Sequence, residues 1–162
     1  MKHAIIALAA AAFALPAMAQ NAGEIEKVRQ GGASCVGCNL FQADFSYREM
    51  PNVNLSNARL RQSDLTVAVL DGANLSGANL SITNAYGVRM TGANLSNADL
   101  TDAVLVGAYL GGVNLKGARL NGANLSGAYL VSARGLTQSQ LNTACGDAAT
   151  ELPGGMTVPR CR

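Results

Sequence analysis

The sequence predicts an all-β solenoid, a coil of short flat sides stacked into a rod, and three observations predict it. An apolar residue recurs at every fifth position from Leu40 to Leu130 without one slip. A small or short side chain, mostly Ala, stands two residues before nearly every one of these centres. Like residues at the remaining positions line up at a spacing of 20. A period of five is neither the 3.6 of a helix nor the 2 of a strand. Within each pentad, however, the centre and the residue two before it share a face by strand alternation, and the two residues left over, often ending in Gly, turn a corner.

The composition agrees. The chain has 162 residues, 49% of them hydrophobic, 14% charged and 4% aromatic, with 18 glycines, four cysteines and no tryptophan. This is one domain. A core with so few aromatics has to be filled by Leu at the centres and Ala two before them, which lets neighbouring sides approach. Twelve basic and ten acidic residues leave a formal charge of +2, which offers neither a nucleic-acid-binding surface nor a phosphate mimic.

Taken from the start, Lys2 and His3 precede an apolar run from Ala4 to Leu15, then Pro16 and Ala17-Met18-Ala19. This is the three-part pattern of a secretory signal peptide over residues 1–19, cleaved after Ala19. The run is short of the roughly 20 residues that cross a bilayer. The mature product is therefore expected in the periplasm or secreted, with no membrane insertion, and carrying a net charge of +1. Cleavage removes His3, the only histidine, and with it any imidazole base or histidine metal ligand.

Residues 20–34 form a segment before the repeats, in which Glu24 to Arg29 can make a short helical turn. The repeats occupy 35–131. At a spacing of 20, Asn54, Asn74, Asn94 and Asn114 coincide, as do Ser56, Ser76 and Ser96, then Asp44 with Asp64 and Tyr109 with Tyr129. A spacing of 15 is less regular, so four sides per coil are favoured. Nineteen centres then make about 4.75 coils, and a parallel-strand spacing of ~4.8 Å makes a rod roughly 23 Å long. Two irregularities predict local distortion or looser packing: Met50-Pro51, where Arg48 also takes an inward slot, and Asn84-Ala85-Tyr86, where Ala replaces the central Leu. Residues 132–162 form a C-terminal cap. Within it Thr137-Gln138-Ser139-Gln140 reads as a capping box opening a helix through Leu141 to Ala144.

Pentads such as Ala73-Asn74-Leu75-Ser76-Gly77 and Ala93-Asn94-Leu95-Ser96-Asn97 resemble the pentapeptide-repeat proteins, whose consensus is Ala-(Asn/Asp)-Leu-X-X. The resemblance covers about 95 residues. It implies a right-handed, four-sided (quadrilateral) parallel β-helix with a turn at every corner, in agreement with the spacing of 20.

Four cysteines allow three pairings. A rod of this length separates Cys35 and Cys38 from Cys145 and Cys161 by far more than the ~7 Å reach of a disulfide, so Cys35 is expected to pair with Cys38 and Cys145 with Cys161. Cys35-Val36-Gly37-Cys38 is also the spacing of a redox motif, and that alternative stays open. Haem attachment would need His where Asn39 stands, and zinc would need two further ligands.

Few residues offer chemistry. Asp44 and Asp64 should lie one strand apart, near the separation of a retaining glycosidase pair, but on a flat wall without a cleft. The stacked asparagines suit ladder bonding. One pair of walls differs from the rest: Val69, Arg89, Tyr109 and Tyr129 on one, with Tyr86, Val104 and Val106 beside it. This is the composition of a partner-binding surface, although β-branched and aromatic residues also simply suit strands. A sub-group of the resembled family imitates DNA and binds topoisomerase with strongly negative rods. Residues 38–130 carry six acids and six bases, which disfavours that role. No nucleophile with a base, metal cluster or cofactor site is visible. The expectation is a non-enzymatic exported scaffold that binds a protein or envelope component, as a monomer or a weak end-to-end or face-to-face dimer.

Overall fold

The computed structural model describes residues 21–31 and 34–162. The expected signal peptide and its cleavage site lie outside these residues. From Ser34 onward the chain makes parallel bridges to the residue 20 further on, and these bridges form four columns. The first wall carries Ser34, Asn54, Asn74, Asn94, Asn114 and Arg134; the second carries Asn39, Arg59, Asn79, Asp99 and Arg119. Asp44, Asp64, Asn84, Val104, Asn124 and Cys145 mark the third wall, and Glu49, Val69, Arg89, Tyr109, Tyr129 and Glu151 the fourth. A spacing of 20 with four columns is a four-sided coil.

Each pentad donates three bonds to its neighbours, one to the coil before and two to the coil after, the second of these from its second corner residue, as from Gly77 N–H to Ser96 O at 2.9 Å. Leu75 N–H donates to Asn94 O at 2.8 Å, and Asn94 N–H donates to Ala73 O at 2.8 Å. Corners close with a further bond across the turn, as from Ala78 N–H to Leu75 O at 3.0 Å. The second corner residue has positive φ at every corner from Gly37 to Gly127, which is the type II turn and explains glycine at Gly72 (φ 68) and Gly77 (φ 66). Val67 (φ 55) and Ile82 (φ 57) hold the same conformation with a β-branched side chain, against its steric preference.

The core is one column of side chains along the rod axis. Every centre from Leu55 to Leu130 is at most 2% exposed, and the Ala positions between them are equally enclosed. The ladder runs unbroken through both irregular places. Met50 N–H reaches Val69 O at 2.8 Å, and Ala85 N–H reaches Val104 O at 2.8 Å. The irregularity shows instead in the corner bond. It is 3.3–3.4 Å where the inward small residue is Val53, Thr83, Val88 or Val113, against 2.8–3.1 Å where it is Ala. A branched side chain in a slot sized for a methyl group pushes the corner open. Arg48 does not occupy the inward slot expected from its position: its side chain is exposed, because an unpaired guanidinium cannot be desolvated in an apolar core.

The helix before the coil is longer than the single turn expected. Helix α1 spans Ala22–Arg29, with the Asn21 side chain accepting Glu24 N–H at 3.2 Å. Ile25 and Val28 are buried in the same apolar cluster as the first coil. Glu24 accepts Asn39 N–H at 2.6 Å, and Arg29 donates to Asp44 O at 3.0 Å, which fixes the helix on the coil edge.

After Arg134 the ladder continues with a changed register. Asn124 pairs with Cys145 and Tyr129 with Glu151, spacings of 21 and 22, because the intervening segment detours through helix α2. That helix is Gln138–Leu141, shorter than the expected run to Ala144, and Thr137 with Gln140 forms the expected capping box. Gln140 Nε2 also donates to Leu115 O at 2.9 Å and Ala118 O at 2.8 Å, while Leu141 is fully buried. Both expected disulfides are present, Cys35–Cys38 and Cys145–Cys161, with Cα separations of 5.4 and 4.8 Å.

Candidate functional site

The side chain one before each centre points outward, and at most of the Asn and Asp positions, all of them on three of the four walls, it serves its own backbone. Ser56 N–H donates to Asn54 Oδ1 at 3.1 Å, Ser76 N–H to Asn74 Oδ1 at 3.1 Å and Ser96 N–H to Asn94 Oδ1 at 3.1 Å. The same bond forms at Asn79, Asp99, Asp64 and Asn124. It satisfies the first corner N–H, which the ladder leaves without a partner. This is the physical role of Asn or Asp at that position.

The fourth wall does without this device. Its column reads Glu49, Val69, Arg89, Tyr109, Tyr129 and Glu151, with no Asn or Asp. At Glu49 no bond is needed, since the first corner residue is Pro51 and has no N–H. At Arg89 the corner N–H of Thr91 is taken by Asp71 from the coil before, at 2.9 Å. Gly112, the second corner residue after Tyr109, donates to Ser132 Oγ at 2.8 Å from the coil after. On this wall Val69, Tyr109 and Tyr129 therefore cannot serve the corner as Asn or Asp does.

The middle of this wall, with the adjoining third wall and the corner between them, presents an apolar and aromatic surface. Tyr109 is 56% exposed, Tyr86 54%, Tyr129 39% and Val104 38%. Tyr47 and Val67, on the corner between the third and fourth walls, extend the same surface. All four tyrosines of the chain thus lie on this side. Arg89 is not a free cation, because it is ion-paired with Asp71 across one coil. Burial pushes the Asp71 carboxyl up, but hydrogen bonds from Arg89 and Thr91 outweigh it and hold the pKa below the ordinary value; the same contact raises that of Arg89.

The other sequence candidates are placed as follows. Asp44 and Asp64 do pair on adjacent coils of the third wall. Each, however, accepts the hydroxyl and N–H of its own corner residue: Ser46 at 2.7 and 2.9 Å, Thr66 at 2.5 and 2.8 Å. The Ser46 bonds, with Arg29 and Arg48 nearby, lower the pKa of Asp44, the opposite of what a general acid requires. The asparagine ladder bonds along the rod, Asn114 Nδ2 to Asn94 Oδ1 at 3.1 Å and Asn94 Nδ2 to Asn74 Oδ1 at 3.5 Å. Cys35 is 3% exposed and opens the first coil as an inward centre, so the bridge to Cys38 staples a corner from inside. α1 ends at Arg29 and α2 starts at Gln138, so among the described residues no helix begins at Cys35 to activate a thiol.

An open depression of about 520 Å³ lies at the C-terminal end between Ser126, Asp147, Arg160 and the Cys145–Cys161 disulfide. Bonds from Gly127, Ala149 and Thr150 lower the pKa of Asp147, making it an anchor for the C-terminal segment. Among the described residues no group of three or more His, Cys, Asp or Glu side chains could hold a metal, and no helix is long and apolar enough to cross a membrane.

Eight copies of the family described as pentapeptide repeats match the chain over residues 49–84, 83–117 and 108–144. The chain belongs to the pentapeptide-repeat family. Its fold is the right-handed quadrilateral β-helix of that family. The crystal structure of HetL, a pentapeptide-repeat protein involved in heterocyst differentiation regulation in the cyanobacterium Nostoc sp. strain PCC 7120, is 37% identical with a TM-score of 0.60. The match covers 62% of this chain and 48% of HetL, so the chain spans about half of that protein's length. Rfr23 from the cyanobacterium Cyanothece 51142 is 30% identical over 80% of this chain and 97% of its own, with a TM-score of 0.41. QnrB1, a plasmid-mediated fluoroquinolone resistance protein, is 21% identical over 78% of this chain and 77% of its own, with a TM-score of 0.39. No curated protein matches the chain.

Proposed function

We propose that this pentapeptide-repeat protein is a non-enzymatic, rigid exported scaffold that binds a protein partner through its fourth wall and the adjoining corner. The observation that carries the reading is the absence of the Asn or Asp turn device from that wall, with exposed Tyr109 and Tyr129 in its place and exposed Tyr86 on the adjoining corner. A side chain that neither fills the core nor satisfies a corner is free to face a partner, and tyrosine is favoured at such contacts. Export is supported by the leader pattern of residues 1–19 and by two disulfides with no free cysteine. In this reading α1 and the disulfide-closed C-terminal segment cover the two ends of the rod, where exposed edges would otherwise invite stacking.

The test is capture from a periplasmic extract with the tagged mature chain, compared with Tyr109→Ser/Tyr129→Ser. The reading predicts that a partner is retained by the wild type and lost by the double variant, whose melting temperature stays near that of the wild type. Equal capture by both, or a hydrolytic activity co-eluting with the chain alone, contradicts it.

A further inference from the structure

The near-neutral charge of the rod hides a division between its walls. On the first and second walls and the corners that follow them stand Arg59, Arg61, Lys116, Arg119 and Arg134 against Asp99 and Asp102, a net of +3. The third and fourth walls and their corners hold six acids, Asp44, Glu49, Asp64, Asp71, Asp147 and Glu151, against Arg48 and Arg89. Two arginines from outside the coil also approach this side, Arg29 at Asp44 and Arg160 beside Asp147, and it still keeps two negative charges in excess. The aromatic surface lies on the acidic side.

Within that side, the C-terminal end of the fourth wall joins the two features. Tyr109, Tyr129 and Glu151 follow one another on three successive coils. The Tyr129 ring leans over Gly111, where a Cβ would stand 3.4 Å from its Cε1, so bare backbone supports it from beneath. Glu151 is exposed and takes part in none of the ion pairs among the described residues. Two exposed aromatic rings, one of them supported from beneath, ending in an unpaired carboxylate attract a cation by the ring quadrupole and by charge together. The neighbouring Tyr86, Val104 and Val106 offer room for apolar side chains.

We infer that Tyr109, Tyr129 and Glu151 receive a Lys or Arg side chain from a protein segment in which basic and apolar residues alternate. This rests on the fourth wall being the binding wall and adds the chemistry of what it binds. The division of charge orients the approach, since a basic segment is drawn to this side and turned away from the opposite one.

The test uses the full chain and two fluorescent synthetic peptides, one alternating Lys and Val, the other Glu and Val, with binding read by anisotropy at low and high salt. Only the Lys–Val peptide is expected to bind, more weakly at high salt. Glu151→Gln is expected to weaken it by about fivefold and Tyr109→Ser/Tyr129→Ser by on the order of tenfold, while Arg119→Gln on the opposite wall changes nothing. Equal binding of both peptides, or a loss for Glu151→Gln no larger than for Arg119→Gln, overturns the inference. If a captured partner is lost with the double tyrosine variant but kept in full by Glu151→Gln, the cation reading falls while the binding wall stands.

Discussion

Replacing Asn94 with Ala removes a bond the corner needs and breaks the ladder of the first wall in the middle of the rod. Asn94 Oδ1 accepts Ser96 N–H at 3.1 Å and Asn114 Nδ2 at 3.1 Å, and its own Nδ2 reaches Asn74 Oδ1 at 3.5 Å. Two well-formed bonds at about 1 kcal/mol each, one of them the Ser96 N–H left half-buried without an acceptor, with a smaller contribution from the third, make a loss of roughly 2 kcal/mol. Tyr109→Ser should differ sharply, at under about 0.5 kcal/mol, because its outward side chain is released from the corner and is already largely in water. Urea unfolding followed by circular dichroism measures both. Equal losses for the two substitutions, or less than about 0.5 kcal/mol for Asn94→Ala, would refute the argument that outward Asn and Asp side chains hold their corners while the tyrosines of the fourth wall do not.

Other perturbations probe the ends, the corners and the charges. Converting Cys145 and Cys161 to Ser opens a loop of sequence separation 16 and should cost about 3 kcal/mol, seen as a lower urea midpoint that reductant alone reproduces in the wild type. Val67→Gly relieves a β-branched residue at φ 55 and should stabilise by up to roughly 1 kcal/mol, whereas Gly87→Val, in the same corner column at φ 61, should destabilise. The carboxyls of Asp44, Asp71 and Asp147 all sit below their ordinary pKa of 3.8 in the folded chain. Their contribution is therefore fully present above that value and is lost as pH falls through the lower folded values. Urea midpoints should hold steady from neutral pH to about 4 and decline below it, less steeply in Asp147→Asn.

Much of the fold could be read before any coordinates, because a period of five resists accident. The buried centres, the four-wall register, both disulfides and the capping box at Thr137 all have local or strictly periodic signals. The failures have physical causes. Arg48 stands in an inward slot by position, but its charge overrides the pattern and turns the side chain out. The pairings of Cys145 and Glu151 were hidden because α2 inserts residues that shift the spacing to 21 and 22. The candidate surface was read as an excess of Val and Tyr, but the reason for it, the missing Asn or Asp device, appears only when corner N–H groups are matched to acceptors. The spacing of 20 already groups Val69, Arg89, Tyr109 and Tyr129; carried on to the corner residues, it also adds Tyr47 and Val67. The charge division was likewise lost in a total that sums to nearly zero.

The most direct measurement is side-chain footprinting of tyrosine in the presence and absence of a captured partner. All four tyrosines lie on the proposed side, so each reports on it: Tyr86, Tyr109 and Tyr129 from its centre and Tyr47, 73% exposed, from its N-terminal margin. The account predicts that the partner shields Tyr109 and Tyr129 most, Tyr86 next and Tyr47 least, while Lys116 on the opposite side stays fully reactive to an amine reagent. Shielding of Lys116 with the tyrosines unchanged would contradict it.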